Sequence, residues 1–486
     1  MKRYPFIFSA AILVGSCSTL TMDSGVPKQF QNLVLEESFE PYPGIVVHRY
    51  EDMMSGLNVL ISPRPGSGVV AFTTTYDVGA RLEQPGRTGL AHLFEHMMFR
   101  GTPSFPEPFK TLGEWGGHYN AFTSQDITHY YEIVPRELFS EAAKFESERM
   151  RKLQLTSDVF ATERGAVVSE RKMRTEDSPM GRLYWEIYQT AFDDHPYKNG
   201  VIGWQEDLDQ MKHEDATDFY QRFYAPNRAV ISIAGDFSVK EALNVINQHY
   251  GEFRRSNFEE PKIAKERTIR PDRRRIVKMK TESVILAESV FSESMNSPSI
   301  PAQVLMCHLI LDDNLGLLQE ELIQKGLARG VSGDCSGAAD PDLSGFIVTG
   351  NPGVPLAKLE KAFDQALEKF PTWVNSERIQ FLKLYYRKGL LQSLRDPLEM
   401  AKDFGINQIL TKDPVRSFKM IDQIEGLKLD DVLASWRIWE HRSKTRVIIQ
   451  PSEKTDPFLR VIGGKVVPAP KVVSKKAKTS KKEIQQ

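Results

Sequence analysis

The chain has 486 residues, too many for one ordinary core, so two or three domains are expected. Hydrophobic residues make up 41% and charged residues 26%, a balance that excludes disordered and fibrous classes. A formal net charge of -1 gives no electrostatic footing for nucleic acid, and no such partner is expected.

Residues 1–17, "MKRYPFIFSAAILVGSC", read as a lipoprotein-type signal peptide: Lys2 and Arg3, an apolar run too short to span a bilayer, then small residues before Cys17. "VGSC" resembles a bacterial lipobox, which implies cleavage before Cys17 and lipidation there. The expectation is an exported protein, lipid-anchored in the periplasm or at the outer membrane, and Ser18 after the cysteine favours the latter by the same resemblance. Residues 18–42 lack clear periodicity and read as a linker.

A first folded domain is expected over 43–262. "GLNVLISPRP" and "GVVAFTTTYDVG" alternate like strands, a helix follows around 88–99, and "DITHYYEIVP" is a strand after a Gly-rich turn. "RELFSEAAKFESERMRKL" carries helical spacing, a second helix covers roughly 156–175, and "NRAVISIAGDFS" is a buried strand. Residues 263–275, with "RTIRPDRRR", read as a basic linker. From 276 to 462 the order repeats loosely: a strand in "SVILAESV", a helix near 301–325, strands, then long helices. Residues 463–486 are Lys-rich, lack core material and read as a disordered tail. Export permits a disulfide between Cys307 and Cys335, but two small buried residues fit equally well, and the sequence leaves both open.

The chemistry concentrates in "AHLFEHMMFRGT", residues 91–102. On a helix His92 and His96 share one face a turn apart, with Glu95 beside them. Two imidazoles at this spacing are a chelating pair for Zn²⁺, and a carboxylate between them is placed as general base for water. The order is H-x-x-E-H. A catalytic zinc needs a third protein ligand. Glu163 and Glu170 in "ATERGAVVSERKMR" lie on one helical face, but Glu132, Glu137, Glu141 and Glu148 compete on spacing alone, so the residues by themselves do not pick it.

"GLAHLFEHMMFRGT", "GGHYNAFTSQDITHYYEIVP", "ERGAVVSERKM", "HPYKNGVIGWQEDL" and "FYAPNRAVISIAGDF", in this order, resemble the pitrilysin-type zinc peptidases, the inverzincins of the H-x-x-E-H pattern. The similarity is greatest to their mitochondrial-processing-peptidase-like bacterial branch. The resemblance implies an α+β fold of two homologous domains, each a mixed, mostly antiparallel sheet flanked by helices, arranged as a clam shell. It implies one Zn²⁺ per chain, held by His92, His96 and Glu170, with Glu95 as catalytic base and Glu163 supporting the site. Asn120 and Ala121 in "NAFTS" match the family's substrate-binding edge strand, where an extended peptide adds by main-chain hydrogen bonds.

The second half departs from the family. Where active members carry an Arg and a Tyr seven apart, "LIQKGLAR" has Leu322 and Arg329. This suggests a homo- or heterodimer in which a related chain supplies the missing half of the site. The function expected is a zinc metalloendopeptidase acting on extended peptides. The alternatives are a non-catalytic binding or assembly subunit of the same fold, and a structural metal site without peptidase activity.

Overall fold

The computed structural model describes residues 18–19, 25–257, 259–462 and 465–468. Cys17 and the signal peptide lie outside them, as does the tail from 469 onward. No helix among the described residues is long and apolar enough to cross a membrane.

The first sheet contains β1 (Ser18–Thr19), β2 (Gln29–Phe30), β3 (Leu33–Tyr42), β4 (Ile45–Asp52), β5 (Asn58–Pro63), β6 (Val69–Tyr76), β7 (His118–Thr123), β8 (Thr128–Pro135) and β9 (Ala229–Gly235). Their order is β1-β3-β4-β5-β9-β6-β8-β7, with β2 also on β3. The second sheet contains β10 (Arg273–Met279), β11 (Ile285–Phe291), β12 (Ala328–Asp334), β13 (Leu343–Gly350) and β14 (Thr445–Pro451), in the order β10-β14-β11-β13-β12.

Strands β5 to β9 and β10 to β14 follow one plan. In each set the first strand pairs parallel with the fifth, and every other neighbour is antiparallel. The two similar units expected from the sequence are thus one topology used twice.

Helices α1 (Leu90–Met97) and α2 (Pro108–Glu114) lie between β6 and β7. Between β8 and β9 come α3 (Phe139–Arg151), α4 (Ser157–Arg171), α5 (Pro179–Ala191), α6 (Gln205–Gln210) and α7 (His213–Phe223), and α8 (Val239–Tyr250) follows β9. In the second half α9 (Ile300–Leu311) stands between β11 and β12. After β13 come α10 (Leu356–Glu368), α11 (Phe370–Trp373), α12 (Ser376–Ser393) and α13 (Pro397–Thr411).

Each half lends one helix to the other. Ser178 caps α5 by accepting the Gly181 N–H, and Pro179 presets its first turn. The helix buries Leu183 and Ile187, one turn apart, against Val277, Ile285, Val447 and Ile449 of the second sheet. Asp396 caps α13, which packs Ala401 and Phe404 on Leu60, Ala71, Val230 and Ala234 of the first sheet. Gly405 allows this close approach: a Cβ there would stand 2.9 Å from Thr75 Oγ1.

Three expectations change. The 18–42 linker is wrong for residues 33–42, which form β3 and bury Leu33 and Phe39. Glu36, Glu37 and Glu40 interrupt the alternation that would have announced this strand. Residues 465–468, read as disordered tail, pair with Leu459–Ile462, as a β-branched "VV" favours. The helix expected near 301–325 ends at Leu311, and residues 319–323 form a separate π-turn. Cys307 and Cys335 form a disulfide that ties α9 to the end of β12. Segment 263–275 is tied down as well: Glu266 Oε2 accepts the N–H groups of Asp193, Asp194 and His195.

Candidate metal centre

Helix α1 begins at Gly89, which has no side chain to cap it. A buried carboxylate does the work instead: Glu83 accepts the Gly89 N–H at 2.9 Å and the Ala91 N–H at 2.8 Å. Burial pushes the Glu83 carboxyl up to about 8, against these donors. Leu90, Leu93, Phe94 and Met97 sink into the first core and leave His92, Glu95 and His96 on the face toward α4 and β7.

Helix α4, capped by Thr156, brings Glu163 and Glu170 to that face. Glu170 Oε2 lies 3.7 Å from His92 Nε2 and 3.2 Å from His96 Nε2. One donor atom from each of these three residues lies within 4.8 Å of the others, and no other such group occurs among the described residues. Donors arranged tetrahedrally around a zinc with bonds of about 2.0–2.1 Å sit roughly 3.4 Å apart, so spacing and donor types both fit that ion. Of the competing glutamates, Glu132 pairs with Arg149, and Glu148 accepts hydrogen bonds from Thr102 and Ser104. Glu137 and Glu141 are exposed.

Glu163 is buried behind the trio, with Oε2 3.5 Å from His96 Nδ1 and Oε1 on Arg100. It thus orients the imidazole through its second nitrogen. The surroundings of the two histidines differ. Burial, then the neighbouring His96, drives His92 down to about 4, whereas Glu163 and then Glu170 raise His96 to about 9. Burial raises Glu95, whose Oε2 accepts the Thr123 hydroxyl at 2.6 Å.

Thr123 ends β7, the free edge of the first sheet. Asn120 and Ala121 pair with Tyr131 and Tyr130 of β8, and the Ala121 N–H is held by Asn120 Oδ1 at 2.9 Å. This edge, α1, α4 and α5 wall an open cavity of about 1160 Å³ that holds the trio, Glu95, Asn120 and Ala121. Leu322 is elsewhere, buried in the second core, and Arg329 is exposed on β12. The sequence reading missed Thr123, Glu83 and Arg174, which donates to Glu170 Oε1; Thr123 had a local signal in sharing the edge strand of Asn120, and Arg174 one in standing four residues after Glu170.

The family described as "Insulinase (Peptidase family M16)" matches residues 59–204, and "Peptidase M16 inactive domain" matches 210–378. Together they span more than half of the chain, which belongs to the M16 peptidase family. Zinc protease PqqE of Helicobacter pylori is 27% identical over 408 residues, covering 82% of this chain and 89% of that protein. The probable mitochondrial-processing peptidase subunit beta of Schizosaccharomyces pombe is 23% identical, covering 80% and 88%. Among solved structures, a protease from Helicobacter pylori superposes with a TM-score of 0.79 at 24% identity, over 83% of this chain and 99% of that one. A peptidase M16 inactive domain from Pseudomonas fluorescens gives 0.74 at 14%, over 85% and 99%. These neighbours share the two-domain α+β fold.

Proposed function

We propose that the chain is a zinc metalloendopeptidase that cleaves extended peptides. The observation that carries this reading is the meeting, in one cavity, of the donor trio, an adjacent carboxylate and a free strand edge. His92 Nε2, His96 Nε2 and Glu170 Oε2 would hold Zn²⁺, which when bound supplies a Lewis acid for the scissile carbonyl and acidifies water. The free edge of β7 aligns the peptide main chain, with Asn120 releasing the Ala121 N–H to it. Glu95 takes the proton of the attacking water on its carboxylate and passes it to the leaving nitrogen. The Thr123 hydroxyl fixes one oxygen of Glu95 and leaves the other for this transfer. Glu163 keeps His96 turned toward His92 and Glu170.

The burial of Leu322 supports a second element of the reading: a related chain, in a homo- or heterodimer, contributes the Arg/Tyr half. Export and a lipid anchor at Cys17, in the periplasm or at the outer membrane, belong to the same proposal; a Cys17→Ser chain recovered in the soluble fraction would support it. The function is tested by measuring bound zinc and cleavage of unstructured peptides for wild type and Glu95→Gln, alone and with a related chain. Retained zinc with cleavage lowered about 10²- to 10⁴-fold is expected. Unchanged cleavage would remove Glu95 from this role.

A further inference from the structure

Glu170 has two carboxylate oxygens, and they face different partners. Oε2 is turned to His92 and His96, while Oε1 accepts Arg174 Nε at 2.8 Å. Arg174 lies one turn beyond Glu170, where α4 gives way to a π-turn, Lys172–Glu176. Such insertions widen the helix locally and occur frequently at functional sites.

This turn is braced from three sides. Buried Arg171 donates from Nε to the Gly203 carbonyl at 2.9 Å and pairs through its terminal nitrogen with Glu176. The Asp177 N–H closes on the Lys172 carbonyl at 2.9 Å. Across the turn stands Gly181 of α5, where any Cβ would overlap the Arg174 carbonyl oxygen. The backbone is therefore fixed, while the Arg174 side chain, 69% exposed, reaches into the cavity wall.

As an ordinary i,i+4 pair with an exposed arginine this contact would add little to the fold. Its partner gives it another use. A carboxylate facing two imidazoles can rotate, or offer both oxygens to a cation. A guanidinium on Oε1 opposes both movements, because its N–H directions are fixed by a planar group. We propose that Arg174 is a positioning residue that occupies Oε1, so that Glu170 presents Oε2 alone to the cation shared with His92 and His96. This rests on the metal-site reading above.

The test is zinc affinity, measured by chelator competition on the full chain for wild type, Arg174→Ala, Arg174→Gln and Arg174→Lys. Melting temperatures of the four metal-free proteins accompany it. Arg174→Ala and Arg174→Gln should bind zinc about 10- to 100-fold more weakly, with metal-free melting unchanged. Arg174→Lys should fall between, because an ammonium supplies charge without the fixed N–H. Zinc affinities of the Ala and Gln variants within about twofold of wild type overturn the proposal, since loss of an outer partner at a metal site costs more than that. So does a drop in metal-free melting that accounts for the weaker binding. Wild type that takes up no zinc removes the metal-site reading itself, whereas a zinc-binding wild type with indifferent variants removes only the role of Arg174.

Discussion

The two halves share a strand plan and differ in what they place in the same niche. In the first half α1 packs between α4 and the edge strand β7; in the second, α9 packs between α12 and the edge strand β12. The first niche holds His92, Glu95, His96 and Glu170 around a cavity of about 1160 Å³. The second holds Cys307, His308 and Cys335 around a cleft of about 160 Å³, lined by the disulfide. His308 there meets the ring of Tyr386 on α12 at 5.4 Å. The fold supplies a helix, a partner helix and a free edge in both places. Only the side chains on α1 and α4 give that frame a donor trio of the kind a metal ion takes.

The largest effect should come from matched substitutions in the two niches. His96→Asn should weaken zinc binding beyond the roughly 100-fold that outer partners cost, while His308→Asn leaves it unchanged, as read by metal analysis. Equal losses would break the distinction between the halves. Next come the exchanged helices. Phe404→Ala on α13 removes a fully buried ring from the first sheet and should cost about 3–5 kcal/mol in denaturant unfolding. Because each half covers the other's sheet, unfolding should stay one cooperative transition, and two separate transitions would contradict the exchange.

Cys307→Ser with Cys335→Ser should cost about 3.5 kcal/mol by the chain-entropy estimate and leave zinc binding intact. Loss of zinc binding by the still-folded variant would show that the second niche supports the first, against the distinction between them. The smallest effect concerns the seam between them, where Tyr188 of α5 donates to Asp342 at 3.2 Å. Burial, with Asp126 and Asp334 nearby, pushes Asp342 up to about 7, against the Leu343 N–H and the Tyr188 hydroxyl. The folded state then keeps a proton that the unfolded chain releases near its ordinary 3.8, so stability falls as pH rises between those values. The slope is at most about 1.4 kcal/mol per pH unit, and Asp342→Asn should flatten it in a melting series from pH 4 to 7.

Much of the first niche was legible in the sequence, because helical spacing alone puts His92, Glu95 and His96 on one face. Glu170 required the family resemblance, since several glutamates had suitable spacing and only tertiary packing separates them. Glu132 and Glu148 look alike in the chain, yet one lies on buried Arg149 and the other on Thr102 and Ser104. Glu83 left no signal for a similar reason, since it acts on backbone N–H groups brought to it by the fold, whereas Arg174 stands at i+4 from Glu170 and became readable once Glu170 was picked. Helix α5 was not read from the sequence at all, and α13 only as one of the long helices of the second half. Nothing in a helical pattern states which sheet the helix will cover, so the exchange emerged only in three dimensions.

The central claim is that the first niche binds zinc and presents an extended peptide to it. A crystal structure of zinc-loaded Glu95→Gln with a bound unstructured peptide tests both parts at once. The account predicts zinc anomalous density among His92, His96 and Glu170, and the peptide paired as a further strand on β7. Zinc held by other residues, or a peptide bound away from β7, would contradict it.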